Sequence, residues 1–519
     1  MSDPDFSWHP EPELIGFRDA ARARPSLEQL GAAAWTAALD YLYDEAMRRP
    51  VGPDSYPELR ARLFGGKPDA PSSPAPAPSA PRPSRELIDE FRERLAPYQF
   101  NGAHPRAFSY FTPPPLLMSI VGELLGQWIN QGVDIFHAGP SAALVEEEVV
   151  SWLRDLVGYD AAAWGVLTSG GVMANVMALT LARDVRLAQL LGPAAAPRGA
   201  ALEGVRVYAS DQAHFSIARA LDVLGFPPAT LHLVASDARF RLAAAPVAEA
   251  IAADRAAGLR PLAIAAVCGS TNTGSVDLVP ELAGLAAREG LWLHVDAAYG
   301  GAARLSRRDA ARVPGLERAD SVTIDPHKWF FQAYDIGALL VKRRADLIRS
   351  FRRDPEYYRS TRPEDEPLQW YQYSIEGTRR FRALKLWLSW KHLGSEGFGR
   401  LIEANDDLAA FLARRCRESD DFEAVPEEPE LSVVCFRHLP GGRAAARRLE
   451  SALLDSYQDR LQRALEVSGQ GWVSTTRLRG RTYLRAGIVN YLSTEADVEQ
   501  LLAALRRLSP DAARDAGIR

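Results

Sequence analysis

Two neighbouring runs decide how this chain is read: LWLHVDAAYGG, residues 291–301, and SVTIDPHKWFF, residues 321–331. In each, a short β-type run (Leu291–Val295, then Ser321–Ile324) gives way to a polar group past its carboxyl end. The first is Asp296; the second, 32 residues later, is Lys328. A carboxylate after five largely apolar residues needs a partner, because burying it unpaired is costly. A cationic ring nitrogen would supply one, and so would the backbone N–H groups of a following helix in an ordinary cap. Lys328 is flanked by His327 and by Trp329, Phe330 and Phe331. Such a semi-apolar setting is expected to lower an amine's pKa and make it a nucleophile toward a carbonyl. Taken alone, a lysine at the start of a surface loop is the plainer reading. Ala297 and Ala298 bring little bulk, which suits a flat ring passing close to the strand end.

Working outward, β-rich runs recur at Trp164–Leu167, Val205–Ala209, Thr230–Val234 and Ala263–Cys268. Helical patterns separate them, at Gly171–Leu190, Ser216–Leu224, Ala243–Ala257 and Val279–Glu289. Alternating strand and helix signals imply an α/β fold, a mainly parallel central sheet with helices on both faces. Beyond it, a helix over Arg379–Leu393 leads to short strands (Leu431–Phe436, Thr482–Ile488) mixed with helices (Gly442–Ser456, Glu495–Leu508), a small C-terminal α+β domain. Toward the N-terminus, helices around Ser26–Arg49 and Arg85–Leu95 flank a Pro/Ala/Ser-rich run over 65–85 that favours an extended connector. The expected division is a helical N-terminal dimerisation segment over 1–105, a large α/β domain over 106–390, and the small domain over 391–519.

Bulk properties narrow the function. The chain has 519 residues, too many for one compact core. Hydrophobic residues make up 47% and charged ones 24%, as in soluble globular proteins. A net charge of −5 leaves no basic footprint for nucleic acid or an anionic membrane. No membrane-length apolar run and no signal peptide is visible, so a cytoplasmic enzyme is expected. Cys268, Cys416 and Cys435 are too dispersed for a disulfide framework. The nine histidines show no paired metal-ligand spacing, so no metal is expected.

Other strand ends carry polar groups too, and ligands of open α/β sheets bind outside such ends. Thr168-Ser169-Gly170-Gly171 opens the helix that bears Asn175, and small residues at a helix N-terminus form a phosphate seat or simply a turn. His214 follows another run and is placed to stack on a ring or to bond to backbone. Thr271, in CGSTNTGSVD, is placed to hydrogen-bond a bound group or Asp296. Each residue alone reads as structural at least as well as functional; their recurrence at strand ends favours one site.

These motifs resemble the group II pyridoxal-5′-phosphate (PLP) dependent amino-acid decarboxylases, which include aromatic-L-amino-acid, glutamate, histidine and diaminobutyrate decarboxylases. The resemblance is carried by HPRAFSYF (104–111), LTSGGVMANVMAL (167–179), SDQAHFSIARA (210–220), GSTNTGSVD (269–277), LHVDAAYGG (293–301), DPHKW (325–329), FRRDPEYY (351–358) and RRFRALKLW (379–387), in order. It implies PLP fold-type I, the aspartate-aminotransferase-like architecture, and a homodimer with the active site at the interface. It further implies that Lys328 holds PLP as a Schiff base, that Asp296 pairs with the pyridine nitrogen, and that His214 stacks on the ring. Thr271 and Ala298 would contact the cofactor, with Ser169, Gly170, Gly171 and His327 at its phosphate. Tyr357 takes the place of a catalytic loop tyrosine that returns a proton to Cα, an exposed loop tyrosine being the alternative.

Two departures bear on substrate. Asp325 stands where many members have asparagine, and a carboxylate there would repel a phosphate unless it turns away or bonds backbone donors. Asp134 stands where aromatic decarboxylases place a phenylalanine, while Tyr110 and Phe111 keep an aromatic wall. An aromatic L-amino acid is the favoured substrate, with diaminobutyrate or an acidic amino acid as alternatives. Arg485 faces either a carboxylate or structure. Rival chemistries on the same scaffold are aldehyde synthase and aminotransferase.

Overall fold

A computed structural model describes residues 20–45, 48–52, 54–65, 67, 73–192, 197–356 and 368–518. Its centre is a seven-stranded sheet of β1 (Trp164–Thr168), β2 (Val205–Ser210), β3 (Leu231–Val234), β4 (Arg260–Val267), β5 (Trp292–Asp296), β6 (Ser321–Ile324) and β7 (Gly337–Val341). The order is β1-β7-β6-β5-β4-β2-β3. From β3 to β6 neighbours run parallel, while β7 enters antiparallel to both β6 and β1. Strands β1, β5, β6 and β7 are buried along their whole length. A sheet covered on both faces makes its strands continuous apolar runs rather than alternating ones.

The helices depart from expectation in extent. The helix that opens at Gly171 is regular to Leu181, then passes through a wider turn, Ala182–Leu187, to Leu191. The helix expected over 379–393 begins at Ala383 and runs to Glu418, with a break at Gly394 (φ 62°, ψ 168°) that glycine tolerates. The helix expected over 442–456 divides into Gly442–Ala446 and Ser451–Ser468. Helices Leu117–Ile129 and Pro140–Val157, and strand β7, were not separated by the sequence reading. Near the N-terminus, residues 73–83 are exposed and without regular elements, between helices Ala20–Asp40 and Ser84–Glu90.

The C-terminal part is a four-stranded antiparallel sheet of β8 (Phe422–Ala424), β9 (Val433–His438), β10 (Ser474–Leu478) and β11 (Arg481–Gly487), in the order β10-β11-β9-β8. Helices Ser451–Ser468 and Glu495–Ala516 complete it around a second core that includes Phe422, Phe436, Tyr457 and Leu484. The two parts are stitched together near the lysine loop. Trp329 donates its indole N–H to Asn405 Oδ1 at 3.0 Å, and Asn405 Nδ2 donates to the carbonyl of Asn490 at 3.1 Å. Asn490 Nδ2 in turn reaches the carbonyls of Gly102 and His104. Trp329, Phe330 and Phe331 are fully buried, each contributing about 1.5–3 kcal/mol. Thus the segment after Lys328 is an anchored turn.

Candidate active site

Because β1, β4, β5 and β6 point the same way, Thr168, Val267, Asp296 and Ile324 finish on one edge. Outside that edge lies a cavity of ≈ 340 Å³ lined by Ser169, Gly170, Gly171, Val172, Met173, Asn175, His214, Val267, Gly269, Thr271, Asp296, Ala298, Tyr299, Asp325, His327 and Lys328. All nine residues read from the sequence as cofactor contacts meet here. Phe111 is one ring removed, stacked on Tyr299 at 4.1 Å. Tyr110 and Asp134 do not line the cavity, and Tyr357 lies outside the described residues. Asn175, Tyr299, Val172 and Met173 were missed as site residues. Only Asn175 left a signal, an amide in the otherwise apolar run VMANVMAL.

Asp296 is 6% exposed. Its Oδ2 accepts from Asn175 Nδ2 at 2.8 Å and its Oδ1 from the Ala298 N–H at 3.1 Å. The local capping-type bond therefore exists alongside the open face toward the cavity. Thr271 makes no bond to Asp296 among the described contacts; its carbonyl accepts from Arg485 Nε at 2.6 Å. Arg485 also donates to the carbonyl of Ser109 and lies over the Phe111 ring, so it clamps the aromatic wall to the Thr271 loop.

At Lys328 one expectation is corrected. Burial alone presses the ammonium down, as anticipated from its apolar neighbours. The Asp325 and Asp296 carboxylates outweigh burial, and the net direction is upward from the ordinary lysine value. Asp325 Oδ2 is 3.1 Å from Lys328 Nζ. His327 and His214 are both pushed below the ordinary histidine value, chiefly by burial, and so stay neutral. His327 Nδ1 accepts the Ile336 N–H at 3.3 Å.

The glycine turn makes a shallow cradle. The first N–H groups of the helix from Gly171 have no partner within it. A Cβ on Gly171 would stand 2.8 Å from Asp325 Oδ2 and 3.4 Å from Ala298 Cβ; one on Gly170 would stand 3.2 Å from His327 Cε1. Side chains would thus fill space that an anion needs. A primary amine, a buried carboxylate, neutral imidazoles and a glycine-lined helix N-terminus are the donor set that PLP requires, and the residues present fit it. Asp325 stays beside the cradle, its Oδ2 offset by the Lys328 ammonium at 3.1 Å, and its Oδ1 is buried with no hydrogen-bond partner among the described residues. Among the described residues, no group of three or more His, Cys, Asp or Glu is placed to hold a metal. Nor is any helix among them long and apolar enough to cross a membrane.

Comparison with known proteins points the same way. The family model described as the pyridoxal-dependent decarboxylase conserved domain matches residues 68–439. An aromatic-L-amino-acid decarboxylase of Bacillus atrophaeus is 31% identical over 487 residues, 93% of this chain and 96% of the relative. An L-2,4-diaminobutyrate decarboxylase of Rhizobium meliloti (strain 1021) is 33% identical over 408 residues, 78% of this chain and 77% of the relative. Among solved structures, that of Oryza sativa TDC with PLP and tryptamine superposes with a TM-score of 0.83 at 27% identity, covering 92% of this chain and 97% of that one.

Proposed function

Given that the chain belongs to the pyridoxal-dependent decarboxylases, and so is a PLP-dependent carboxy-lyase of amino acids with the fold-type I architecture, we propose that its substrate is an aromatic L-amino acid, released as the amine and CO₂. The observation that carries this is the aromatic wall. Phe111 stacks on Tyr299, which lines the cavity, and Tyr110 stands edge-on to Trp472 at 5.0 Å. Val172 and Met173 add apolar lining. The carboxylate that would suit a diamino acid, Asp134, is half-buried beside Gly132 and outside the lining.

When bound, PLP supplies the electron sink that accepts the pair left behind by CO₂. The chain's own residues do the rest. Lys328 Nζ would hold the cofactor covalently, and Asp296 would hold a proton at its ring nitrogen, where a carboxylate favours the electron-sink chemistry. His214, neutral, would lie against the ring, while Ser169, Gly170, Gly171 and His327 would hold the phosphate through N–H donors. Thr271 and Ala298 would border the ring. Tyr357 would return a proton to Cα. The enzyme acts as a homodimer. Helix Leu117–Ile129 exposes Leu117, Trp128 and Ile129 by half or more, and Phe215, next to His214, is similarly open. Apolar groups exposed on this scale, one of them beside the cavity, support a second subunit covering them.

The test is to assay CO₂ and amine release over Trp, Tyr, Phe, DOPA, Glu, Asp, His and 2,4-diaminobutyrate, with Lys328→Ala as control. Turnover best with an aromatic substrate, and loss of the cofactor's visible absorption band in Lys328→Ala, are expected. Best turnover of diaminobutyrate or an acidic amino acid would overturn the substrate reading. Aldehyde or keto acid in place of amine would overturn the outcome assigned to Tyr357.

A further inference from the structure

Asn175, 1% exposed, is the hub of a buried hydrogen-bond chain that spans the floor of the cavity. Its Nδ2 reaches Asp296 Oδ2 and Ser216 Oγ, each at 2.8 Å. Its Oδ1 meets Thr323 Oγ1 at 2.8 Å and His294 Nε2 at 3.0 Å. Beyond Ser216 the chain continues to His214 Nδ1 at 2.8 Å; beyond His294 it continues from Nδ1 to Ser321 Oγ at 2.9 Å.

The direction of this chain is fixed at the Asp296 carboxylate, which only accepts, so the Asn175 group facing it is the NH₂ and the amide oxygen accepts on the other side. His294 is fully buried and pushed down to about 4, chiefly by burial, so it is neutral; facing that oxygen, its proton is on Nε2, and Nδ1 accepts from the Ser321 hydroxyl, which itself takes the Trp292 indole N–H at 2.9 Å. The NH₂ spends its two hydrogens on Asp296 and Ser216. Ser216, having accepted, gives its own proton to His214 Nδ1. The Ser216 backbone N–H, 3.3 Å from the same nitrogen, requires the same direction independently. So does the Ala298 N–H at Asp296 Oδ1.

We propose that Asn175 is a positioning residue that sets two hydrogen-bonding states together: Asp296 as acceptor on both oxygens, and His214 in the tautomer with its proton on Nε2. The second state leaves the His214 nitrogen not engaged by Ser216 as a donor toward whatever the cavity holds. Its catalytic meaning rests on the assignment of Asp296 and His214 to the cofactor made above. The charged groups around His214 are Asp296, Lys328, Asp325 and Arg219. None of them is hydrogen-bonded to its Nδ1, so the tautomer is set by Ser216, through its backbone N–H and through the hydroxyl that Asn175 orients.

Asn175→Asp keeps the shape and removes the donating NH₂. Ser216 then donates to the new carboxylate and turns its lone pairs to His214, which reverses the side-chain bonds and leaves the Ser216 backbone N–H opposing them. In histidine-selective ¹⁵N-labelled protein, with and without cofactor, wild type should show His214 protonated on Nε2. Asn175→Asp should shift a measurable fraction of it to Nδ1–H. Ser216→Ala, the smaller change and the fallback if the first variant does not fold, should give a detectable Nδ1–H population, and the double variant should match it. In the holoenzyme Asn175→Asp should lower kcat by on the order of 100-fold, with KM little changed and the cofactor's absorption spectrum altered. Unchanged ring shifts in both single variants, or an Nδ1–H wild type, overturn the proposal. A tautomer that flips while the spectrum stays that of wild type overturns instead the assignment of these residues to the cofactor.

Discussion

Gly337, the first residue of β7, pairs with Thr168 and lies against the glycine turn. A methyl group there would stand 2.5 Å from Gly170 Cα, 2.7 Å from Thr168 Oγ1 and 2.8 Å from Asp325 Oδ1. Ordinary carbon contacts begin near ~3.5 Å, so the turn must retreat by roughly an ångström. Overpacking of this kind costs about 1–3 kcal/mol. Free protein can relieve it by moving the turn, but protein holding a phosphate there cannot. Up to the whole cost therefore falls on binding, a loss of about 5- to 150-fold in PLP affinity at tenfold per ~1.4 kcal/mol. Gly165→Ala is the matched control: its Cβ would stand 2.5 Å from Leu340 Cδ2 and 2.9 Å from the Leu339 carbonyl, on the same strand pair but away from the cavity. Equilibrium dialysis of PLP against both variants, with thermal midpoints alongside, separates the two effects. Gly337→Ala should lose both affinity and stability, and Gly165→Ala stability alone. Equal PLP affinity in Gly337→Ala and wild type, with only the midpoint lowered, would refute the placement of the phosphate seat.

Asp325→Asn removes the nearest charge holding the Lys328 ammonium up. The amine should then react with a soluble aldehyde at lower pH than in wild-type protein stripped of cofactor; an unmoved midpoint would count against the ion pair. Buried His438 is pushed down to about 4 from 6.5, chiefly by burial, so the unfolded chain binds more protons than the folded one between those values. Its contribution to stability is present above pH 6.5 and is lost as pH falls toward 4. Asp277, raised to about 7 by burial, acts in the opposite sense, so the comparison is a difference: the stability gap between wild type and His438→Gln should change across this window and be flat above it. Arg379 and Glu146 form an ion pair with both side chains 1% exposed, bonded to the Leu167 backbone just before the glycine turn. Glu146→Leu should destabilise by about 3–5 kcal/mol in denaturant titration, and adding Arg379→Met should recover most of it.

Where sequence and structure agree, the reason is burial. Strands covered on both sides become unbroken apolar runs, and a polar residue ending such a run, as Asp296 does, announces itself. Strand β7 (GALLV, 337–341) did not, because it returns antiparallel with no intervening helix to set it apart. The charge state of Lys328 was misread for a similar reason. Its immediate neighbours in sequence are apolar, but the turn brings the Asp325 carboxylate, three residues back, to within 3.1 Å. Asn175 was legible only as an amide in an apolar helix, since its partners come from β5, β6 and the helix that opens at Ser216, all distant in sequence. Asp134, placed by counting from Gly139-Pro140, lies in the loop ahead of helix Pro140–Val157 rather than against the cavity.

The stitch from Trp329 through Asn405 and Asn490 to Gly102 and His104 has a consequence for how the protein matures. A ribosome delivers these five positions in the order 102, 104, 329, 405, 490, yet the turn after Lys328 is held by all of them together. The amine is made early, but the clasp that fixes its loop closes only when residue 490 has cleared the exit tunnel. A chain stalled before that point carries every strand of the large sheet while this clasp on its lysine loop is still open.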